Sequence, residues 1–360
     1  MSLHFHPIKI KDIRRETSDC VSIGFDIPEN LQETFRFQQG QSLTLRTHIN
    51  GEEIRRTYSI CTSPFEKEWR VAVKKVEGGI FSSHANDQLK VGDIIDLMPP
   101  VGKFNTPLNP SQKKRYMAIA AGSGITPVLS LAKTILATEP LSEFTLVYGN
   151  RSRSSIIFFE ELEGLKNKYM NRFTLIHVLS REKTDTAINA GRIEPKKLED
   201  LSKLIDFKSL NEFFLCGPEQ MIFSSKEYLE SIGINKHQIH FELFNTGTAA
   251  ITSRQKKKTD GEQNKLLSTI SIKLDGRNID FTVPMNSELS ILDAALEQGA
   301  DLPFACKGGV CCTCKAKLIE GSVHMDVHWG LEEDEIEKGF ILTCQSHPKT
   351  ERVRVDFDDR

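Results

Sequence analysis

The segment Pro303-Phe304-Ala305-Cys306-Lys307-Gly308-Gly309-Val310-Cys311-Cys312-Thr313-Cys314 holds four of the eight cysteines in this 360-residue chain. With a further cysteine downstream in Leu342-Thr343-Cys344, it gives the pattern C-x4-C-x2-C…C. This is one of the thiolate spacings that hold a [2Fe–2S] cluster in proteins. The predicted cluster ligands are Cys306, Cys311, Cys314 and Cys344.

The adjacent cysteines Cys311 and Cys312 compete for one ligand position. Only Cys311 leaves two residues before Cys314, so the spacing favours Cys311. Glycines at 308 and 309 allow the loop to wrap a cluster with backbone N–H groups facing the sulfurs. A zinc site is the alternative, but zinc ribbons use paired C-x2-C knuckles and only one such pair is present.

Composition indicates a globular protein of two or three domains. Hydrophobic residues make up 39% and charged residues 27% of the chain, as in ordinary globular proteins. No apolar run reaches the length of a membrane span, and Met1–His6 lacks the features of a secretory signal. The cysteines are not spread as a disulfide framework. We therefore expect a cytoplasmic protein without membrane or nucleic-acid partners.

Charge is distributed unevenly along the chain. Residues 268–360 contain 10 Lys and Arg against 17 Asp and Glu, a net charge of −7, whereas the remainder carries +5. An acidic cluster module beside a slightly basic body suits docking between electron carriers. An ordinary solvated surface explains the same numbers equally well.

The pattern of apolar and polar residues along the chain predicts three domains and a linker. Residues 1–106 alternate apolar and polar positions between Gly and Pro, which predicts an antiparallel β-barrel. From 112 to 244, strands alternate with helices, which predicts an α/β doubly wound parallel sheet. Residues 245–267 are polar and read as a flexible linker. Residues 268–360 form the third, cysteine-bearing domain.

Two loops of the α/β region carry the signature of a nucleotide site. Gly122-Ser123-Gly124-Ile125-Thr126-Pro127 stands between a strand and a helix, where glycines let backbone N–H groups approach a pyrophosphate. Cys216-Gly217-Pro218 follows a later strand. Ligands bind beyond the carboxyl ends of parallel strands, so both loops should lie on one edge. A plain tight turn and a buried structural cysteine are the alternatives.

Two motifs in the barrel region suit a flat, phosphate-bearing ligand. In Arg56-Thr57-Tyr58-Ser59, an arginine can pair with phosphate, an aromatic ring can stack, and a hydroxyl can bond a ring nitrogen. Gly79-Ile80-Phe81-Ser82 is a candidate phosphate cradle. Taken singly, both patterns are unspecific.

Together these motifs resemble the ferredoxin-NADP reductase superfamily over the first 244 residues. The family's R-x-Y-S and G-x-x-S flavin motifs, its nucleotide loop and its C-G motif stand at the segments quoted above, and His240–Phe244 resembles its closing strand. Phe244 takes the place of the tyrosine that covers the flavin in plant-type members. Residues 268–360 resemble a plant-type ferredoxin with an α+β, β-grasp-like fold.

The resemblance implies FAD, NADPH and a [2Fe–2S] cluster as cofactors, with hydride passing from nicotinamide C4 to flavin N5. Ser59 would bond near N5, and Cys216 would orient the nicotinamide. Glu242 would tune charge or relay a proton. Tyr58 would stack on the flavin, and Arg56 would neutralise its pyrophosphate.

The choice of dinucleotide depends on Ser180-Arg181-Glu182. An arginine beside a hydroxyl can hold a 2′-phosphate, whereas NAD-specific sites place an acid on the ribose. Ser180 and Arg181 therefore favour NADPH, and Glu182 leaves NADH possible. A solvent-facing turn is the alternative interpretation.

A flavin reductase followed by a ferredoxin is similar to the reductase components of multicomponent oxygenases. Segments 55–61 and 148–152 look like the reductases of phenylacetyl-CoA epoxidases. The predicted partner is thus an oxygenase component. Alternative acceptors are a steroid or aromatic hydroxylase, an acyl-CoA desaturase or a hybrid-cluster protein, and a redox sensor is a further alternative.

Overall fold

The computed structural model describes residues 4–244, 266–285 and 287–359, which form two compact units. The larger unit includes Tyr58–Phe244 and most of the residues before them, and the smaller one contains the C-terminal module. Most of the predicted linker, residues 245–265, lies outside the described residues. Among the described residues, no helix combines the length and apolar character needed to cross a membrane.

The first part of the larger unit is a barrel of six strands. They are β1 (His6–Thr17), β2 (Cys20–Asp26), β3 (Ser42–Ile49), β4 (Glu52–Ser59), β5 (Trp69–Lys74) and β6 (Ile94–Leu97). Their order is β4-β3-β6-β1-β2-β5, and β1 pairs antiparallel with β2 and β6. Just after β4, Ile60 bridges to Val71 of β5, which joins the two ends of the sheet. Alternate side chains fill the interior, as the period-two pattern predicts.

One helix in this region, α1 (Ile80–Asp87), departs from the all-β interpretation. It buries Phe81 and Ala85 against the barrel core. The Asn86 side chain donates to the Val73 carbonyl over 3.0 Å and so ties the helix to β5. Packing of one short apolar face thus stabilises a helix whose sequence, IFSSHAND, carries little helical signal of its own.

The second part of the larger unit is a parallel sheet between helices. Its strands are β7 (Arg115–Ala121), β8 (Glu143–Asn150), β9 (Phe173–Leu179), β10 (Glu212–Gly217) and β11 (Ile239–Leu243), and its helices are α2 (Ile125–Thr138), α3 (Phe159–Lys168), α4 (Pro195–Ser202) and α5 (Glu219–Ser231). The order β11-β10-β7-β8-β9 is that of a doubly wound sheet: strands are added outward from β7 in one direction to β9, and then from β10 in the other direction. The predicted parallel fold is confirmed.

The smaller unit contains a mixed sheet and two short helices, of which the first packs against the core. Its elements are β12 (Leu267–Leu274), β13 (Arg277–Pro284), α6 (Ile291–Glu297), β14 (Lys315–Glu320), β15 (Val323–Met325), α7 (Glu333–Glu337), β16 (Phe340–Leu342), β17 (Ser346–Pro348) and β18 (Arg352–Asp356). The main sheet runs β13-β12-β18-β14-β16, with β12 and β18 parallel at its centre. Ser290 caps α6 by accepting from Asp293 N, and α6 buries Ile291, Leu292 and Ala295 in the core. This is the predicted β-grasp arrangement.

Candidate functional site

The nucleotide loop is built where β7 and β10 end side by side. A Cβ atom on Gly124 would lie 2.1 Å from the Cys216 carbonyl oxygen, so only glycine fits at that position. Gly122 adopts φ of +54°, and Thr126 Oγ1 donates to the Ser123 carbonyl over 3.0 Å. The turn therefore presents its backbone at the N-terminus of α2, where an anion is stabilised. The two predicted loops do lie on one edge of the sheet.

The three predicted catalytic residues meet at this edge. Cys216 and Glu242 are register partners on β10 and β11. Ser59, at the end of barrel strand β4, donates from Oγ to Glu242 Oε2 over 2.7 Å. Burial, with the nearby negative charge of Glu242, raises the pKa of the Cys216 thiol well above its usual value. Cys216 is thus a neutral thiol suited to packing against a ring rather than to nucleophilic attack.

A fourth member of this group, Ser42, was missed by the sequence interpretation. Its Oγ lies 3.4 Å from Glu242 Oε1 and 3.4 Å from the Ser59 hydroxyl, and the residue is buried at the start of β3. A serine at the start of a strand carries no distinguishing sequence signal. Two hydroxyls of the barrel therefore converge on one carboxylate of the parallel sheet.

The flavin motifs form a second surface on the barrel. The half-buried Tyr58 ring packs at 5.5 Å from the Phe81 ring. Gly79 immediately precedes α1, and Ser82 Oγ accepts from Val76 N over 3.1 Å. The N–H groups in the first turn of any α-helix have no acceptor within the helix, so this end of α1 is where a phosphate would bind.

The remaining motif residues lie as follows. Arg56 is exposed and Thr57 is half-buried on β4, and Ile80 is exposed on α1. Pro127 is buried in the first turn of α2, and Pro218 immediately precedes α5. Their positions agree with the predicted motifs, although contacts with a cofactor stay predictions.

Gly217 of the C-G motif and Phe244, after β11, both lie in close contact with neighbouring side chains. A Cβ atom on Gly217 would lie 2.7 Å from Met221 Cε, so this glycine permits close packing. The half-buried Phe244 packs against the core of the parallel-sheet region, directly after β11 ends at Leu243.

The predicted 2′-phosphate residues stand beyond the ends of β8 and β9. Ser180 N donates to the Asn150 carbonyl over 2.9 Å, and both Ser180 and Arg181 are exposed at the surface. Glu182 is the acidic residue that could instead bind the ribose of NADH. Its carboxylate accepts from the backbone N–H of Arg153 over 2.7 Å. That carboxylate is held by the neighbouring loop.

The four predicted cluster cysteines lie together in two pairs. A hydrogen bond between Cys306 and Cys311 raises the pKa of Cys306 and lowers that of Cys311 to about 6. A hydrogen bond to Cys314, reinforced by burial, raises the pKa of Cys344. Gly308 N also donates to Cys306 Sγ over 3.3 Å.

A two-iron cluster takes two thiolates on each iron, so the two pairs fit the donor set of a [2Fe–2S] cluster. Within residues 4–244, 266–285 and 287–359, no three or more His, Cys, Asp or Glu side chains gather as ligands of a single metal ion.

The fifth cysteine of the domain, Cys312, makes its contact outside the group of four predicted ligands. Cys312 adopts φ of +55°, unusual for a residue with a side chain, and its thiol donates to the Gly330 carbonyl. This conformation turns Cys312 toward the Gly330 loop and favours Cys311 as the ligand.

Comparison with known proteins agrees with this architecture. Family models match as an oxidoreductase FAD-binding domain at residues 7–106, an oxidoreductase NAD-binding domain at 118–227 and a 2Fe-2S iron–sulfur cluster binding domain at 272–349. One component of the 1,2-phenylacetyl-CoA epoxidase from Escherichia coli K12 is 43% identical over 355 residues, which cover 98% of each chain.

More distant relatives share the same layout. The ferredoxin reductase component of 3-ketosteroid-9-alpha-monooxygenase from Rhodococcus rhodochrous is 31% identical over 97% of this chain and 96% of that one. The structure of phthalate dioxygenase reductase, 24% identical, covers 98% of both chains with a TM-score of 0.58, which shows the shared fold.

The fold and its domains therefore define a flavin- and iron–sulfur-dependent oxidoreductase that uses a nicotinamide dinucleotide. More closely, the chain belongs to the family of reductase components of multicomponent oxygenases, which transfer electrons to an oxygenase partner. The zinc alternative for the cysteine site is not retained, because the 2Fe-2S model covers the cysteine-bearing segment.

Replacing Glu242 tests the group at the end of β11. In Glu242→Ala, both barrel hydroxyls lose their carboxylate partner, and we expect flavin reduction by NADPH to slow by about 10²-fold with flavin content retained. Anaerobic stopped-flow bleaching of the flavin absorbance measures this rate. Glu199→Ala, an exposed carboxylate on α4, is the control and should keep the wild-type rate. An unchanged rate in Glu242→Ala would remove Glu242 from the site.

The two adjacent cysteines give a matched pair of variants. Cys311→Ser should lose the visible absorption of the cluster and most of the bound iron, because serine is a poor replacement for a thiolate ligand. Cys312→Ser should retain both, since its side chain faces Gly330. NADPH-to-ferricyanide activity through the flavin should survive in both variants. Loss of iron from Cys312→Ser alone would reverse the ligand assignment.

Proposed function

We propose that this chain is the NADPH-dependent reductase of a phenylacetyl-CoA epoxidase. Electrons pass from NADPH through FAD and the [2Fe–2S] cluster to the oxygenase component. The observation that supports this acceptor is the 43% identity to a phenylacetyl-CoA epoxidase component over 98% of both chains, against 31% for the steroid monooxygenase reductase. The reaction takes place in the cytoplasm.

The group formed by Ser59, Glu242 and Cys216 supports the hydride-transfer half of the proposal. FAD supplies the chemistry that converts a hydride into single electrons. Ser59 holds its hydroxyl at the barrel edge, where it reaches the flavin ring. Glu242 places a negative charge beside the nicotinamide, and the neutral Cys216 thiol packs against the ring without competing for the hydride.

The flavin itself is held by barrel residues. Tyr58 stacks on the flavin ring, and Arg56 pairs with the pyrophosphate. The α1 turn at Gly79–Ser82 receives phosphate oxygens. Phe244 stands where the chain leaves the parallel sheet and limits access to the ring.

On the dinucleotide side, we propose that the loops at 122–127 and 216–218 cradle the pyrophosphate of NADPH. Ser180 and Arg181 receive the 2′-phosphate. Support comes from Glu182: its carboxylate accepts from Arg153 N and is therefore less able to accept from a ribose 2′-OH. Cys306, Cys311, Cys314 and Cys344 hold the cluster. Domain limits of 1–106, 112–244 and 268–360, with 245–267 as a linker, belong to the same proposal.

Arg181→Ala tests the dinucleotide preference. Removing a charged partner of the 2′-phosphate should raise the KM for NADPH by about tenfold or more and leave the KM for NADH nearly unchanged. Steady-state ferricyanide reduction with each dinucleotide measures both constants. Lys183→Ala, another exposed cation on the same loop, is the control. An equal rise in the KM for NADPH and for NADH in Arg181→Ala would contradict the proposed 2′-phosphate contact.

Reconstitution tests the acceptor. The purified reductase is combined with the oxygenase component of a phenylacetyl-CoA epoxidase, NADPH and phenylacetyl-CoA, and product is followed by mass spectrometry. We expect turnover that depends on the reductase and is lost in Cys311→Ser. The oxygenase component of a 3-ketosteroid-9-alpha-monooxygenase with its steroid substrate is the matched control. Equal or faster turnover with the steroid system would refute the proposed acceptor.

A further inference from the structure

The helix α2 contacts the barrel through three side chains on one face. Ser130, Lys133 and Thr134 stand at the helical spacing i, i+3 and i+4, and all three are buried. The same helix begins at Ile125, directly after the glycines of the candidate nucleotide loop. This face of α2 therefore joins the nucleotide loop to the part of the barrel that it contacts.

The contacted part is the connection between β4 and β5, at residues 62–66. Ser130 Oγ donates to the Thr62 carbonyl over 2.6 Å. Thr134 Oγ1 lies 3.1 Å from Ser63 Oγ. Two hydroxyls of α2 thus reach the chain just after it leaves β4, the strand that ends at the candidate hydride site.

Lys133 adds a charged link to the same connection. Its Nζ lies 2.9 Å from Glu66 Oε1 and 3.1 Å from Glu66 Oε2. Glu66 Oε2 in turn accepts from Ser63 N over 2.8 Å. Lys133 also pairs with Glu161 of α3. One of its two carboxylate partners therefore belongs to the barrel, and the other belongs to the parallel-sheet region.

Stability alone is a weak reason for this arrangement. Lys133 is buried and has lost most of its hydration, and apolar residues often replace buried ion pairs without loss of stability. The best-attested use of a buried ion pair is to fix one arrangement of the elements that it joins. The elements joined here are α2 and the chain that follows β4.

We propose that Lys133 is a positioning residue for hydride transfer. Through Glu66 it holds the chain that follows β4, and with it the Ser59 hydroxyl, against the parallel sheet that carries Glu242. The inference rests on the proposed roles of Ser59 and Glu242. The loops proposed to bind the dinucleotide all lie in the parallel-sheet region, whereas Ser59 lies on the barrel. Loss of the Glu66 link should therefore spare NADPH binding and misplace the two sides of the reaction.

A matched pair of variants tests this role on the intact protein loaded with FAD and the cluster. Glu66→Gln and Glu161→Gln each remove one carboxylate from Lys133, and the two carboxylates are similarly exposed, at 39% and 42%. The amide in Glu66→Gln can still accept from Ser63 N, so the turn keeps its capping contact. Anaerobic stopped-flow spectroscopy gives the rate of flavin reduction at saturating NADPH and the Kd for NADPH.

We expect Glu66→Gln to slow flavin reduction about tenfold and to leave the Kd for NADPH within about twofold, because a neutral amide is a weaker partner for the ammonium. Glu161→Gln should keep the wild-type values of both. Hydrogen–deuterium exchange over residues 60–66 should rise in Glu66→Gln and stay unchanged in Glu161→Gln. Lys133→Met removes both links and should show the slower reduction as well.

Equal rates of flavin reduction in Glu66→Gln and Glu161→Gln would overturn the proposal. A lower melting temperature of Glu66→Gln without a slower rate would overturn it too, because the contact would then be structural only. The hydride site itself is tested separately by Glu242→Ala. Slow reduction in Glu242→Ala together with a wild-type rate in Glu66→Gln would reject the positioning role alone.

Discussion

The hydrogen bond from Ser59 to Glu242 is the contact on which the geometry of the candidate site depends. It joins residues 183 positions apart, one on the antiparallel barrel and the other on the parallel sheet. The bond forms only when the two folds meet at a fixed distance and angle. A displacement of about 1 Å would separate the hydroxyl from the carboxylate and would be costly for a reaction that needs aligned partners.

Buried polar contacts on the other side of the same interface hold that distance. Lys133 of α2 is only 9% exposed and pairs with Glu66, in the connection between barrel strands β4 and β5, and with Glu161 of α3. Burial lowers the pKa of Lys133, but the two carboxylates outweigh burial and raise it, so the ammonium stays charged. Ser130 donates to the Thr62 carbonyl over 2.6 Å. Breaking these contacts would leave the buried Lys133 ammonium unpaired, which is costly, although both carboxylates themselves reach solvent.

Much of the architecture could be predicted because its signals are local. The spacing of Cys306, Cys311 and Cys314 defines a site within nine residues of chain, and the glycines at 122 and 124 stand directly between a strand and a helix. The close approach of Gly124 to the Cys216 carbonyl shows the physical reason for that pattern. Period-two and strand–helix alternation likewise reflect burial in each element, which a single sequence records.

What the sequence did not reveal depends on contacts between distant segments. Ser42 reaches Glu242 only because β3 lies next to β4 and the barrel meets β11. The helix α1 is stabilised because Phe81 and Ala85 pack into the barrel core. The left-handed conformation of Cys312 is set by the Gly330 carbonyl, 18 residues away. In each case the deciding contact comes from a distant segment, and no local pattern records it.

The two candidate sites are lined with groups of opposite polarity. The Glu242 carboxylate lies on the β10–β11 edge, where it would stabilise a positive charge on a bound ring. The cysteine-bearing loop is lined instead by a donor, because the Gly308 N–H donates to Cys306 Sγ over 3.3 Å. Fixed groups of this kind need no reorganisation when charge appears beside them. A carboxylate at one site and a donor at the other therefore suit opposite changes of charge.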